Sequence, residues 1–407
     1  GTTYPFLYSV QDMLPNAPSG YRESEASSTL ASYEDQDIPE GEKITVVGIM
    51  LEAFSDMTDF PVLDEVPAIH KIYEPLHELE ERSVSGRLLT NIFAGGTVDT
   101  EWGYLTGYSE HEEFRSPVNT YVRYFKSQGY DALYRHPGYS WFYNRSNVNE
   151  YLGFDECVFN DTGFGDLISI SDALYHSDKV LVDYLLNDID SRTETDDPLF
   201  LFSVSYQNHG PYPSETYWEE YVTPEMNGWS MQTCCVINNY LAGIRSTINE
   251  MCRMTEELEG RDEPIVFVFF GDHKPWMGNG NSVYTEIGVD LDVSTLEGFY
   301  NYYATPYVIY ANEAARELFG SDFAGDGGDF SPCFLMARVF DECGWEGPGL
   351  MQLQREMREV SPLMSSNGWR MQNGQLTMEL DGAAEDENER YLRAQYYIET
   401  HLKEDAL

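Results

Sequence analysis

Positive charge is what this chain most lacks. Its 407 residues carry 24 Lys and Arg against 70 Asp and Glu, a formal net charge of −46. Such a surface repels nucleic acid, which excludes a DNA- or RNA-binding role. An anionic membrane or phosphate substrate is repelled at long range too, so an anionic ligand needs a metal or a few placed cations. Cysteine is scarce: Cys157, Cys234, Cys235, Cys252, Cys333 and Cys343 form no CxxC pair. That argues against a structural zinc site, and six are too few for a disulfide scaffold. They read as buried free thiols. No run approaches the roughly 20 apolar residues of a membrane-spanning helix, and there is no signal peptide. The chain opens GTTYPF without Met, so the expectation is that an N-terminal membrane anchor has been removed.

Aromatic residues, by contrast, are plentiful, with 30 Tyr and 21 Phe, and the chain is long enough for one large α/β domain with a smaller appendage. Residues 1–43, rich in Pro, Ser and Glu, read as an extended or loosely packed lead-in. From KITVVGIML onward, apolar runs at 44–51, 88–93, 130–134, 198–205, 264–270 and 305–310 read as strands. Amphipathic stretches at 67–82, 117–128, 171–187 and 230–258 read as helices. Continuous apolar strands alternating with helices predict a mostly parallel sheet sandwiched by helices. A catalytic domain over 44–340 is expected, followed over 341–407 by a helical and small-sheet α+β part. In that part GWRMQNGQLTMEL is a small antiparallel excursion and the acidic DENERYLRAQYYIETHL a closing helix.

In open α/β sheets ligands bind at the carboxyl ends of strands. Three apolar runs end in reactive side chains. VVGIMLEAFSD delivers Glu52, with Ser55 and Asp56 behind it. FLFSVSYQNHGPY delivers Gln207, Asn208 and His209. FVFFGDHKPWMG delivers Asp272 and His273 with Lys274 beside them. Carboxylates and imidazoles converging on one sheet edge suit a divalent cation such as Mn²⁺, Mg²⁺ or Zn²⁺. Taken singly, Glu52 reads as a cap or a surface residue and His209 as a packed or hydrogen-bonding histidine; the repetition at three strand ends is the signal. FAGGTVDTEWGY adds Thr97 after two glycines and at a helix start, where an anion is well placed. A metal would make its hydroxyl a usable nucleophile; the plain alternative is an N-cap. In YRHPGYSWFYNRSN, His136 and Arg145 stand among aromatics. They suit phosphate and proton-transfer contacts or, for Arg145, a structural cation–π contact. Lys274 either leans over an anionic substrate or points to solvent.

In order, LEAF, GGTVDTEWGYLTG, YRHPGYSWFYNRSN…LGFDE, SYQNHGPY, FFGDHKPWMG and TPYVIYAN resemble the lipoteichoic acid synthase-like phosphoglycerol transferases of the sulfatase and alkaline phosphatase superfamily. The resemblance spans about residues 44–340. It implies one Mn²⁺ (or Mg²⁺ or Zn²⁺ in its place) held by Glu52, Thr97, Asp272 and His273, and Thr97 as nucleophile. It also implies His209 on the substrate phosphate or aiding proton transfer, and His136 and Arg145 at the head group. The implied donor is an anionic phospholipid such as phosphatidylglycerol, and the acceptor a cell-envelope glycan or polymer. The implied location is the extracellular face of a membrane to which the whole protein is anchored by several helices. Lipoteichoic acid synthases often carry Asp near the position of Gly138 and Trp near that of Tyr143; these departures leave phosphoethanolamine open as a head group. A hydrolase on the same fold, a phosphodiesterase or phosphatase, and a non-catalytic binding domain are the rival readings. The CxPxR signature of formylglycine sulfatases is absent.

Overall fold

All six apolar runs give strands of one sheet, one of them displaced along the chain, in the computed structural model, which describes residues 15–167, 177–192 and 197–403. The strands are β1 (Thr45–Leu51), β2 (Val84–Leu89), β3 (Asp131–Arg135), β4 (Glu156–Val158), β5 (Leu199–Val204), β6 (Ile265–Gly271), β7 (Ala304–Ala311) and β8 (Gly325–Asp326). They are ordered β4-β3-β5-β1-β6-β7-β2-β8. β1 pairs in parallel with β5 and β6, and β3 in parallel with β4 and β5. β7 runs against both β6 and β2. The sheet is thus mostly parallel, as expected, with one reversed strand.

Central strands show why their apolar runs are unbroken. Val46 and Met50 of β1, Phe200, Phe202 and Val204 of β5, and Val266, Val268 and Phe270 of β6 pack on one face. Val47, Ile49 and Leu51, Leu199 and Leu201, and Ile265, Phe267 and Phe269 pack on the other. A strand with period-two side chains and two covered faces leaves a polar residue only where a partner satisfies it, as the Arg135 carbonyl does for the Ser203 hydroxyl of β5 at 2.8 Å. Each such side chain contributes ~1.5–3 kcal/mol by leaving water. Helices Pro67–Glu81, Asp178–Arg192 and Met231–Glu259 cover the second face through Ile69, Leu76, Leu181, Leu185, Ile237, Leu241, Ile244 and Met251. The longest starts where Ser230 accepts a hydrogen bond from the Thr233 amide at 3.2 Å, an ordinary N-cap. Helices Tyr121–Ser127, Leu335–Cys343 and Gly349–Val360 cover the first face.

Several expectations shift. The strand expected at 88–93 is β2 at Val84–Leu89; residues 90–93 already belong to the loop leading to the glycines. The helix expected at 117–128 is Tyr121–Ser127, begun by the Thr120 cap. The one expected at 171–187 is described as Asp178–Arg192, its first expected residues lying outside the described ones. The lead-in is not extended throughout. Glu23–Leu30 is helical, Ile38 is buried in the core, and Tyr21 stacks edge-on against Tyr396 of the last helix at 4.7 Å. The C-terminal excursion is a two-stranded antiparallel hairpin, β9 (Arg370–Gln372) with β10 (Gln375–Thr377), followed by the helix Gly382–Thr400. All six cysteines are unpaired; Cys157 and Cys252 are half-buried and the other four buried. Among the described residues no helix is long and apolar enough to cross a membrane.

Candidate active site and metal centre

β1 and β6 lie side by side in parallel, Leu51 opposite Gly271. The next residues, Glu52 and Asp272, therefore leave the sheet together. Gly271 is required here: a Cβ on it would stand 2.1 Å from the Phe54 carbonyl oxygen, so the loop after β1 closes over the end of β6 only because no side chain intervenes. Asp272 then accepts hydrogen bonds at Oδ1 from the amides of Ala53 (2.8 Å) and His273 (2.7 Å). Its Oδ2 is buried with no hydrogen-bond partner among the described residues. His273 holds Nδ1 2.9 Å from the Lys274 carbonyl. A proton on Nδ1 makes that bond and leaves Nε2 with its lone pair inward. Nε2 lies 3.2 Å from Asp272 Oδ2 and 3.9 Å from Glu52 Oε1.

Ligand atoms of Glu52, Asp272 and His273 thus all lie within 4.8 Å of one another, in the protein interior. Burial, and then the neighbouring Asp272, push the Glu52 carboxyl well above its ordinary range. Two carboxylates buried together without a cation are costly. An orphaned oxygen, a second carboxylate and an inward imidazole nitrogen are a donor set that fits a divalent cation.

Thr97 opens the helix Val98–Thr106, following a loop in which Ala94, Gly95 and Gly96 all have positive φ. The loop is tied to the metal centre by the Ala94 amide, which donates to the Lys274 carbonyl at 3.1 Å. The helix is tied to it by Thr100, whose hydroxyl donates to the Asp272 carbonyl at 2.7 Å. The Thr97 side chain makes no capping hydrogen bond, so the plain N-cap reading does not describe it.

One cavity of about 270 Å³ is lined by Glu52, Thr97, His136, Arg145, His209 and His273, with Tyr143, Tyr206, Tyr212 and Trp276 among its walls. His136 donates from Nδ1 to the Val204 carbonyl at 2.9 Å, which leaves Nε2 for the cavity. Burial, reinforced by Arg145, holds its pKa well below the usual imidazole value. A Cβ at position 138 would stand 2.2 Å from His136 Nε2, which is why this chain has glycine there. Arg145 donates from Nη2 to Glu101 at 2.8 Å, while its Nε has no hydrogen-bond partner among the described residues and its guanidinium lies 5.3 Å from the Tyr143 ring centroid. Ion pair, cation–π contact and cavity wall therefore coexist in one side chain. His209 holds Nδ1 2.7 Å from the Gly210 carbonyl.

Some strand-end residues do not come to the cavity. Lys274 turns inward: its ammonium is fully buried 4.9 Å from the Phe60 ring centroid, without a hydrogen-bond partner among the described residues. It neither reaches the cavity wall nor points to solvent, and burial pulls its pKa down to about 8. Gln207 caps the Asp178 amide and Asn208 bonds Thr247. Asp56 joins His77 and Glu80 in a second acid–imidazole group. That group already contains a cation: Arg87 donates to Asp59 at 2.9 Å and to Glu80 at 3.1 Å. His77 sits 2.8 Å from Asp56, and this bond raises its pKa. It is a closed hydrogen-bonded network. A further cavity by Asp35, Tyr121 and Lys403 is bordered by tyrosines whose hydroxyls are already used, Tyr108 on Asn119 and Tyr124 on Gln36.

Glu101, the buried partner of Arg145, is a site residue that the strand-end pattern misses. It lies four residues past Thr97, one helical turn on, and that spacing is the signal that points to it.

Comparison with known proteins agrees with this architecture. A curated relative, a putative cyclic beta-1,2-glucan modification protein of Rhizobium meliloti (strain 1021), is 25% identical over 352 residues, 82% of this chain. The chain spans 51% of that relative's length. The phosphoglycerol transferase GacH of Streptococcus pyogenes, solved with sn-glycerol-1-phosphate, superposes with a TM-score of 0.65 at 18% identity, covering 94% of each chain. The lipoteichoic acid synthase LtaP of Listeria monocytogenes superposes with a TM-score of 0.59 at 16% identity, covering 92% of this chain and 96% of its own. Residues 44–326 match the sulfatase family, and the chain belongs to it.

Proposed function

We propose that this domain is a metal-dependent transferase that moves glycerophosphate from an anionic phospholipid, phosphatidylglycerol, to a cell-envelope glycan or polymer through a glycerophospho-Thr97 intermediate. One observation carries the reading. Thr97, at a helix start and free of capping duty, faces the same cavity as the Glu52 and His273 ligands and the Arg145 guanidinium. The resemblance of fold to enzymes named for phosphoglycerol transfer and lipoteichoic acid synthesis supports it.

Glu52, Asp272, His273 and the Thr97 hydroxyl would hold the cation, Mn²⁺ by the family resemblance, or Mg²⁺ or Zn²⁺ in its place. A bound cation supplies charge neutralisation for the phosphoryl oxygens and lowers the pKa of the Thr97 hydroxyl. The Thr97 oxygen forms a bond to phosphorus, and the bond from phosphorus to the diacylglycerol oxygen breaks. The helix start beneath Thr97 and the Arg145 guanidinium attract the phosphate. The Thr97 proton is released to water as the bond forms, and His209 gives the departing diacylglycerol oxygen a proton. The second half reverses the sense. His209 takes a proton from the acceptor hydroxyl, that oxygen attacks phosphorus, the Thr97–phosphorus bond breaks, and the Thr97 oxygen takes a proton from water, which restores both groups. His136, held neutral with Nε2 inward, accepts a hydrogen bond from a head-group hydroxyl.

Glycerol is favoured over ethanolamine as the head group. Among the described residues of the cavity wall the only carboxylate is Glu52, which belongs to the cation ligands. An ammonium head group has no counter-charge there. The membrane enters as the source of the donor, and the extracellular face as the place where such a glycan is exposed; an anchor outside these residues belongs to the same proposal. The test is release of diacylglycerol from labelled phosphatidylglycerol. Release that needs both Mn²⁺ and Thr97 is expected. Release from phosphatidylethanolamine alone, or none from metal-loaded protein, contradicts the donor. Free glycerophosphate formed at the same rate with and without added glycan would make the domain a hydrolase.

A further inference from the structure

At the mouth of the cavity the chain exposes aromatic rings that the chemistry above does not use. Tyr139 is 47% exposed, Trp141 68%, Phe142 40% and Trp276 48%. Large apolar rings exposed side by side mark a contact surface. These are arranged: Tyr139 and Trp141 stack with centroids 5.9 Å apart and planes at 27°, and Phe142 meets Trp141 edge-on at 5.8 Å. Their backbone is fixed. Ser140, between the two stacked rings, donates its amide (3.1 Å) and hydroxyl (2.6 Å) to Asp161, and the Ser146 amide donates to the Ser140 carbonyl at 3.0 Å. Tyr143 and Asn144 then both take left-handed φ of 54°. Two consecutive non-glycine residues in that region are strained, and such strain collects at functional sites. The ledge is continuous with the site, because Phe142 and Tyr143 line the cavity and Trp276 lines it too.

We infer that the Tyr139–Trp141–Phe142 ledge, with Trp276, is the docking platform for the acceptor, and that the acceptor is an uncharged glycan chain. This rests on the transfer reading above. Aromatic rings exposed at a membrane-facing rim normally come with Lys and Arg that meet anionic lipid. Here the flanking charges have the opposite sign. Asp161 lies under Ser140, Glu113 accepts from Asn144 at 3.3 Å, and Asn147 bonds Asn144. The one cation in this stretch, Arg145, is buried against Glu101. In a chain of net charge −46 an anionic surface or an anionic polymer is repelled. A sugar ring has an apolar C–H face that packs on an aromatic plane and hydroxyls that hydrogen-bond to carboxylates and amides. The ledge offers both at the entrance to the Thr97 cavity.

The test is binding, read by tryptophan fluorescence and by retardation in gels containing neutral polysaccharide. The probes are cellohexaose, laminarihexaose and maltohexaose, with phosphatidylcholine and phosphatidylglycerol vesicles as the competing surface. No donor and no metal are added, so the readout does not depend on turnover and a failed ledge is distinguishable from a failed transferase. At least one hexasaccharide is expected to bind the wild-type domain. Trp141→Ala and Tyr139→Ala are each expected to weaken it about fivefold, the scale of one lost aromatic contact, with melting curves unchanged because both rings are solvent-facing. Absence of binding by all three sugars, unchanged affinity in both variants, or vesicle binding that depends on Trp141 would overturn the proposal.

Discussion

Oδ2 of Asp272 lies 3.2 Å from Nε2 of His273, yet it is buried without a hydrogen-bond partner among the described residues. The other oxygen is fully engaged by two backbone amides. A carboxylate held so firmly on one side and bare on the other is prepared for a ligand. Substituting Asp272→Asn is expected to abolish stabilisation by metal. Wild-type protein at about 100 times the dissociation constant of Mn²⁺ gains ~2.7 kcal/mol. Thermal melts with and without Mn²⁺ check this; an equal gain in the Asn variant would remove Asp272 from the ligand set.

Gly271→Ala tests the backbone rather than the ligands. Its methyl would meet the Phe54 carbonyl at 2.1 Å, and overpacking of this kind costs ~1–3 kcal/mol. The strand end must shift and carry Asp272 with it. Both a lower Tm and weaker Mn²⁺ binding are expected, measured on the same samples by calorimetry. A lower Tm with undiminished metal affinity would show that the two strand ends are not coupled.

Arg145 and Glu101 are both buried, 2.8 Å apart. Removing one partner strands the other charge, at ~3–5 kcal/mol. Glu101→Gln is therefore expected to destabilise strongly in urea. It should also raise KM for the lipid donor, since Arg145 loses the contact that orients it. An effect below about 1 kcal/mol would mean that the guanidinium relaxes into water.

Asp178 supplies a pH dependence from outside the ligand set, though its charge also bears on the Glu52 carboxyl. Burial raises its pKa from 3.8 to about 7, against the hydrogen bond from Thr247. Its folded-state pKa lies above the unfolded one, so between pH 4 and 7 the folded state holds a proton that the unfolded state has released. Stability therefore falls as pH rises through that window. Asp178→Asn removes this slope. The variant is expected to gain on wild type by on the order of 2 kcal/mol between about pH 5 and pH 8. Urea melts at both pH values measure it; a constant difference would contradict the assignment.

How far the sequence can be read depends on where a residue's constraint lies. β1, β5 and β6 are legible because both faces of each are covered, which leaves a continuous apolar run. For β2 the apolar pattern points four residues late. Its true core, VSGRLL, is half polar, and the apolar LTNIF that follows is mostly loop. β4 and β8 are short edge strands of three and two residues, too brief for any periodicity. Glu52, Asp272 and His273 are legible because the strand end itself delivers them. Lys274 is not: nothing local says that the chain turns its side chain into the interior over Phe60. Asp56 stands close behind the same strand end as Glu52, but its partners His77 and Arg87 come from elsewhere in the chain.

The central claim is covalent chemistry at Thr97, and the most direct measurement is mass spectrometry of the peptide containing it. Metal-loaded protein is quenched after reaction with phosphatidylglycerol in the absence of acceptor. The account predicts one added glycerophosphate on Thr97, absent in Thr97→Ala and lost on adding a glycan acceptor. Diacylglycerol release with no adduct on that peptide, or release that persists in Thr97→Ala, would contradict it.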